Sequence, residues 1–146
     1  MKLFSLCLLA LMPLTVDAQQ FDIEAIKAKA ATGDSSAQNN LGICYATGRG
    51  VEKDPAQAMK WWQQAADQGN ALALINLGVC YEEGDGVSQD SAQAYVWYAV
   101  AAASGNQSAA QAMELVAAKL TPEQLKEAQG KAEKLLAEIQ AKRDAD

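Results

Sequence analysis

Histidine is absent from this 146-residue chain. Without an imidazole, no Ser or Cys nucleophile has the base that usually activates it, and the zinc sets built on His are lost. Cations are few: 12 Lys and Arg stand against 18 Asp and Glu, a net charge of −6, with no long basic run. Phosphate backbones and anionic lipid surfaces are bound through Lys and Arg, so neither nucleic acid nor a charged membrane surface suits this chain. The Gly-x-Gly stretches lack the following Lys of a phosphate loop. Aromatic residues are scarce, at 6%, and gather in two short stretches. What is abundant is alanine within an apolar half of the composition, which suits helices that pack closely.

The longest apolar run lies at the start. Lys2 precedes Leu3 to Leu14, and Val16-Asp17-Ala18 follows with small residues at the positions a signal peptidase reads. The run falls short of the roughly 20 residues a bilayer-spanning helix needs. The pattern predicts a signal peptide over 1–18, cleaved after Ala18, and a periplasmic or secreted chain without stable membrane insertion. Cys7 lies inside the run and would leave with it. Cys44 and Cys80 then sit in an oxidising compartment, where disulfides form.

An offset of 36 residues (73 − 37) superposes the chain on itself. Ala37, Leu41, Gly42, Cys44 and Tyr45 recur as Ala73, Leu77, Gly78, Cys80 and Tyr81. Gly48, Gly50, Val51 and Asp54 recur as Gly84, Gly86, Val87 and Asp90. Ala58, Trp61, Ala65, Ala66 and Gly69 recur as Ala94, Trp97, Ala101, Ala102 and Gly105. A gapless period of this length denotes stacked supersecondary units. Within each unit, apolar residues at i, i+4, i+7 and i+8 predict two helices. Gly48 and Gly50 suit the positive φ that ends the first of them.

Asp54 and Asp90 are N-cap types, with Gln57 and Gln93 three residues on as in a capping box; Thr121-Pro122 with Gln124 repeats the signature. Gly33, Gly69 and Gly105 mark helix ends, followed at once by the caps Asp34, Asn70 and Asn106. Gly42 and Gly78 lie mid-helix, where glycine costs about 1 kcal/mol relative to Ala. Close approach of the partner helix compensates, and the expected filler is Trp61 in one unit and Trp97 in the other.

The segments divide as a signal peptide over 1–18, a capping helix over 19–33, repeats over 34–69 and 70–105, and a partial third repeat with a long terminal helix over 106–146. Ile23, Ile26 and Ala30 would face the first hairpin. Ala109 and Met113 continue the pattern, but Glu114 replaces the glycine and no Gly-x-Gly loop follows. Terminal units of solenoids depart in this way because one face meets water.

These residues resemble the Sel1-like repeat family, relatives of the tetratricopeptide repeats. The resemblance runs through Ala37, Leu41, Gly42, Tyr45, Gly48, Gly50, Val51, Asp54, Ala58, Trp61, Ala65, Ala66 and Gly69, and again from Ala73 to Gly105. Leu120-Thr121-Pro122-Glu123-Gln124 is similar to the segment that often follows the last such repeat. The resemblance implies an all-α, right-handed α-solenoid of antiparallel hairpins whose concave face is lined by the first helix of each pair. It also implies adaptor, scaffold, inhibitor or immunity roles in the cell envelope. A cysteine-rich branch closes each hairpin with a disulfide between two cysteines of one repeat. This chain has one cysteine per repeat, and that branch's activities do not transfer.

Cys44 and Cys80 fall on the apolar face, and packed helices lie about 8–10 Å apart, beyond the roughly 7 Å Cα separation a disulfide bridges. They read as free, buried thiols rather than a disulfide or metal pair. Glu82, Glu83 and Asp85 read as a solvated helix end rather than a metal or acid–base site. No cofactor is implied.

Function then falls to a surface that binds a protein or peptide, with a basic partner favoured by charge. Off the core stripe lie Gln38, Asn40, Ile43 and Thr47, with counterparts Leu74, Asn76, Val79 and Glu83. Ile43 and Val79 form either a contact patch or packing against the next hairpin. The repetition of Asn40 as Asn76 favours a structural hydrogen bond for at least one. Trp62 and Tyr98, the second members of their aromatic pairs, are candidates for partial exposure and ligand contact. The rival class, an envelope enzyme acting on cell-wall or small-molecule substrates, requires a convergent titratable cluster that the sequence does not show.

Overall fold

The computed structural model describes residues 22–146. The predicted signal peptide, its cleavage point and Cys7 lie outside them. Among the described residues seven helices follow in order: α1 Ile23–Ala31, α2 Ser35–Thr47, α3 Pro55–Asp67, α4 Ala71–Glu83, α5 Ser91–Ala103, α6 Gln107–Ala117 and α7 Pro122–Ala145. Among the described residues there is no strand, and no helix is long and apolar enough to cross a membrane. Helices α2 and α3 form one antiparallel hairpin, α4 and α5 the next, and the array is an α-solenoid.

The punctuation follows the side chains. Asp34, Asn70 and Asn106 each accept a backbone N–H three residues on, capping α2, α4 and α6. Gly48 and Gly84 terminate α2 and α4 in the left-handed region, at φ 72° and 74°. Asp54 and Asp90 cap α3 and α5 as predicted, but the reciprocal half of the capping box forms only at Thr121 with Gln124. The cause is competition. The backbone N–H groups of Asp54 and Asp90 already donate to the carbonyls of Tyr45 and Tyr81, each at 2.8 Å. Those two bonds fold each loop back onto the end of its own first helix.

Each hairpin closes on a glycine. A Cβ built on Gly42 would lie 2.4 Å from Trp62 Nε1, and one on Gly78 would lie 2.5 Å from Tyr98 Cε1. The fillers are therefore Trp62 and Tyr98, not Trp61 and Trp97 as the sequence suggested. The buried stripe of α3 is Ala58, Trp62, Ala65 and Ala66, an i, i+4, i+7, i+8 run. Trp61 stands at its margin, half-buried against the small cluster of Ala30, Ala37, Leu41 and Cys44. Trp97 is buried because α5 is covered by α4, α6 and α7 at once.

The ends are closed differently. At the amino end, Ile23, Ile26 and Ala30 pack on the first hairpin, as expected. The Gln38 side-chain amide donates to the Ala30 carbonyl and to Gln64, and its oxygen accepts from Gln68. Gln38 is thus buried and joins α1, α2 and α3, a correction to its reading as a surface position. Its counterpart Leu74 is fully buried in apolar surroundings. At the carboxyl end, α7 runs beside α5, burying Ala128 and Ala132, and continues until Ile139 meets Gly69 at the end of α3.

The glycine contacts give a paired expectation. Gly42→Ala gains helix propensity but forces the Trp62 ring away, a net destabilisation of about 1–3 kcal/mol. Gly130→Ala, in α7 with nothing within 4 Å of its Cβ, stabilises by about 0.5–1 kcal/mol. Urea unfolding followed by circular dichroism checks both signs.

Candidate functional site

The first helices of successive units, α2, α4 and α6, turn a matching stripe outward. On α2 it holds Ser36, Asn40, Ile43 and Thr47; on α4, Leu72, Asn76, Val79 and Glu83; on α6, Ser108, Ala112, Leu115 and Lys119 just past its end. These positions are spaced i, i+4, i+7 and i+11, so each set shares one helix face. Ile43 is 41% exposed, Val79 37% and Leu115 69%, and all three occupy the same repeat position. Leu72, at 60%, extends the apolar surface by two turns along α4. The row of Ile43, Val79 and Leu115 crosses three helices as a ladder of apolar rungs.

Leu115 escaped the sequence reading because its unit loses the glycine and the loop that mark the other two. The signal was there all the same: 115 is one more offset of 36 beyond 79.

The other predicted site residues divide. Asn40 is exposed. Asn76 is half-buried, and its amide donates to Asn39 Oδ1 at 3.1 Å, tying α4 to α2. That is the structural hydrogen bond its recurrence suggested. Its acceptor, buried Asn39, went unnoticed because the equivalent residue in the next unit is Ile75. The Asn39 carbonyl also accepts the Trp62 indole N–H at 3.1 Å. The Thr47 hydroxyl turns back to the Ile43 carbonyl at 2.7 Å, so its polar group is used within α2. Glu83 is exposed at the end of α4.

Trp62 and Tyr98 do not belong to this surface. They are 6% and 2% exposed, because each is the side chain that covers a helical glycine. Their placement as partly exposed contact residues is corrected: both are core.

Glu82 also departs from its reading as part of a solvated helix end. The Lys119 ammonium lies 3.0 Å from Oε1, and the Tyr98 hydroxyl donates to Oε2 at 2.9 Å. Gln89 donates to the Glu82 backbone carbonyl at 2.8 Å. The hydrogen bond from Lys119 holds the Glu82 carboxyl below its usual range, against partial burial and with help from Tyr98. Burial first, and then the hydrogen bond to Glu82, push the Tyr98 hydroxyl well up. The clasp joins α4, α5 and the end of α6.

Cys44 and Cys80 are buried and unbridged. Burial raises both thiols, Cys80 to about 11 with Asp85 and Glu83 adding to the effect. Both are thus protonated near neutral pH and poor nucleophiles.

Among the described residues no group of three or more His, Cys, Asp or Glu side chains is placed to hold a metal ion. The clefts are open and mixed in lining. One of about 480 Å³ lies between Asp67–Gln68 and Lys142–Arg143, and one of about 370 Å³ lies between α5 and α7 beside Tyr95, Val100 and Leu136. Neither brings a nucleophile to a base.

With this geometry in view, the comparisons are consistent with one another. The family model described as Sel1 repeat matches residues 35–70 and 71–106. A protective antigen of uropathogenic Escherichia coli with an SLR fold superposes with a TM-score of 0.77 and 33% identity, covering 80% of this chain and 25% of that one. A Sel1 repeat protein from Oxalobacter formigenes superposes with a TM-score of 0.65 and 32% identity, covering 72% and 43%. Among curated sequences, DAP3-binding cell death enhancer 1 of Mus musculus is 46% identical over 41 residues, or 28% of this chain and 8% of its own. A putative sel1-like repeat-containing protein of Acanthamoeba polyphaga mimivirus is 47% identical over 47 residues, or 32% and 8%. The aligned region is therefore a small part of each curated relative.

The Glu82 clasp has a pH signature. Its folded pKa is depressed, so its contribution is present above the unfolded carboxylate value and is lost as pH falls through the lowered folded value. Lys119→Met removes the partner. The variant should melt below the parent at pH 7, by an amount equivalent to less than about 1 kcal/mol for so exposed a pair. The gap between the two melting temperatures should narrow as the pH is lowered through the acid range, as thermal scans at a series of pH values will show.

Proposed function

Because the chain belongs to the Sel1-like repeat family, whose members are generally non-catalytic protein–protein interaction modules, we propose that it binds a protein or peptide on the outward face of α2, α4 and α6. The observation that carries this reading is the exposed row of Ile43, Val79 and Leu115. An isolated apolar residue at the surface is ordinary. Three at one repeat position, with Leu72 beside them, make a contiguous patch of the kind that marks an interface. In a solenoid such positions are held by units that contact only their neighbours, so the surface is preformed and little ordering is needed when a partner arrives.

The role is that of an adaptor, scaffold or inhibitor rather than a catalyst. Its support is the absence of His from the sequence and the absence, among the described clefts, of a nucleophile beside a base. The cell envelope or its exterior is the proposed location, supported by Lys2, the Leu3 to Leu14 run and the Val16-Asp17-Ala18 site. The description of the Escherichia coli protein as a protective antigen is in keeping with an exported relative. The name of the mouse relative describes a protein that binds another protein.

Replacing Ile43 and Val79 together by Arg tests the reading. Both sites are exposed, so stability should move by no more than about 0.5 kcal/mol per site, and the helical spectrum should be unchanged. Proteins captured from an envelope extract by the parent chain should be lost from the variant. Undiminished capture by the folded variant would contradict the assignment of this face.

A further inference from the structure

The reading of α2, α4 and α6 as a binding face leaves its occupant open, and the inference here rests on that reading. Those three helices carry only three charged residues, Glu82, Glu83 and Glu114, all of them carboxylates. No Lys or Arg occurs between Lys60 and Lys119. Lys119 is engaged with Glu82, whereas Glu83 and Glu114 are exposed. Glu83 lies one turn beyond Val79 on the same stripe, and Glu114 lies next to Leu115. Apart from Lys119, which is paired with Glu82, the charge that borders the apolar ladder is therefore of one sign. By contrast, α7 carries Lys126, Lys131, Lys134, Lys142 and Arg143 interspersed with its carboxylates.

The rungs also have a spacing. The Asn76–Asn39 hydrogen bond ties α4 to α2 and the Lys119–Glu82 pair ties the end of α6 to α4, so successive rungs are offset by roughly one helix diameter, about 10–12 Å. Two residues seven apart on one helix share a face and are separated by about 10.5 Å. An extended segment fits less well. Its residues on one side are about 6.6 Å apart, and a residue about 10 Å along points to the opposite side.

We propose that the occupant is a cationic amphipathic helix of the partner protein, laid across α2, α4 and α6. Apolar residues seven apart sit on Ile43, Val79 and Leu115, and Lys or Arg side chains reach Glu83 and Glu114. The apolar rungs supply burial, while the carboxylates set the partner's sign and its rate of approach.

The test is selection from a displayed library of random peptides of about 18 residues, long enough for three anchors seven apart. Selection on the intact chain is followed by counter-selection on the Ile43→Asp/Val79→Asp/Leu115→Asp variant. Recovered sequences should be net positive, with apolar residues recurring every seven. A recovered peptide should lose about tenfold in affinity on Glu83→Lys/Glu114→Lys, and should be unaffected by Glu127→Lys/Glu133→Lys on α7. Equal loss on the α7 variant would reduce the effect to non-specific charge and overturn the proposal. So would neutral or acidic peptides that survive the counter-selection, although the face itself would stand. Peptides that bind the Asp variant undiminished would overturn the face as well. Failure to enrich any peptide would overturn the helical occupant while leaving the capture experiment to judge the face.

Discussion

A ring laid against a glycine fixes the distance between the two helices of each hairpin. Trp62 covers Gly42 and Tyr98 covers Gly78, in places where even a methyl group would collide. The approach is possible because the first helix has no side chain there, and it is held because the second helix supplies a large flat one. The contact also fixes rotation. With Gly42 and Leu41 turned inward on α2, Ile43 is carried to the opposite side, and Gly78 does the same for Val79 on α4. The surface pattern is thus a by-product of the core contact.

The same requirement explains how the array ends. The third unit has Glu114 where the others have glycine, so a hairpin of the same closeness cannot form at that position. Instead α7, nearly twice the length of the repeat helices, runs beside α5 and reaches back to Gly69. At the other end α1 covers the first hairpin with a few aliphatic side chains and the Gln38 amide. Two repeats would be marginal alone; α7 extends one buried cluster that begins in α3, and α1 closes a second, smaller one on α2.

Local chemistry was the legible part of the fold. Caps, glycine stops and the 36-residue offset act within a few residues or repeat outright, and the helices begin and end where Asp34, Asp54, Gly48 and Thr121 direct. Choosing between neighbouring aromatics was harder. Trp61 and Trp62 are both compatible with a helical stripe, and only the packing of α2 across α3 selects Trp62. The Asn39 hub and the Glu82 clasp were hidden for another reason. Each has one partner 37 residues away, and neither arrangement recurs in the other unit. Of the candidate face, Ile43 and Val79 could be read from the sequence as apolar groups off the core stripe. Leu115 lay at the same offset but passed unnoticed, because its unit lacks the glycine and the loop that mark the other two.

Glycine against ring sets each hairpin, the hairpins set the stripe, and the stripe presents an apolar ladder edged by carboxylates. The most direct check is a nuclear Overhauser spectrum of the chain in solution. Cross-peaks are expected from the Gly42 Hα protons to the Trp62 indole ring and from the Gly78 Hα protons to the Tyr98 ring. Cross-peaks that instead join those glycines to Trp61 and Trp97 would contradict this packing.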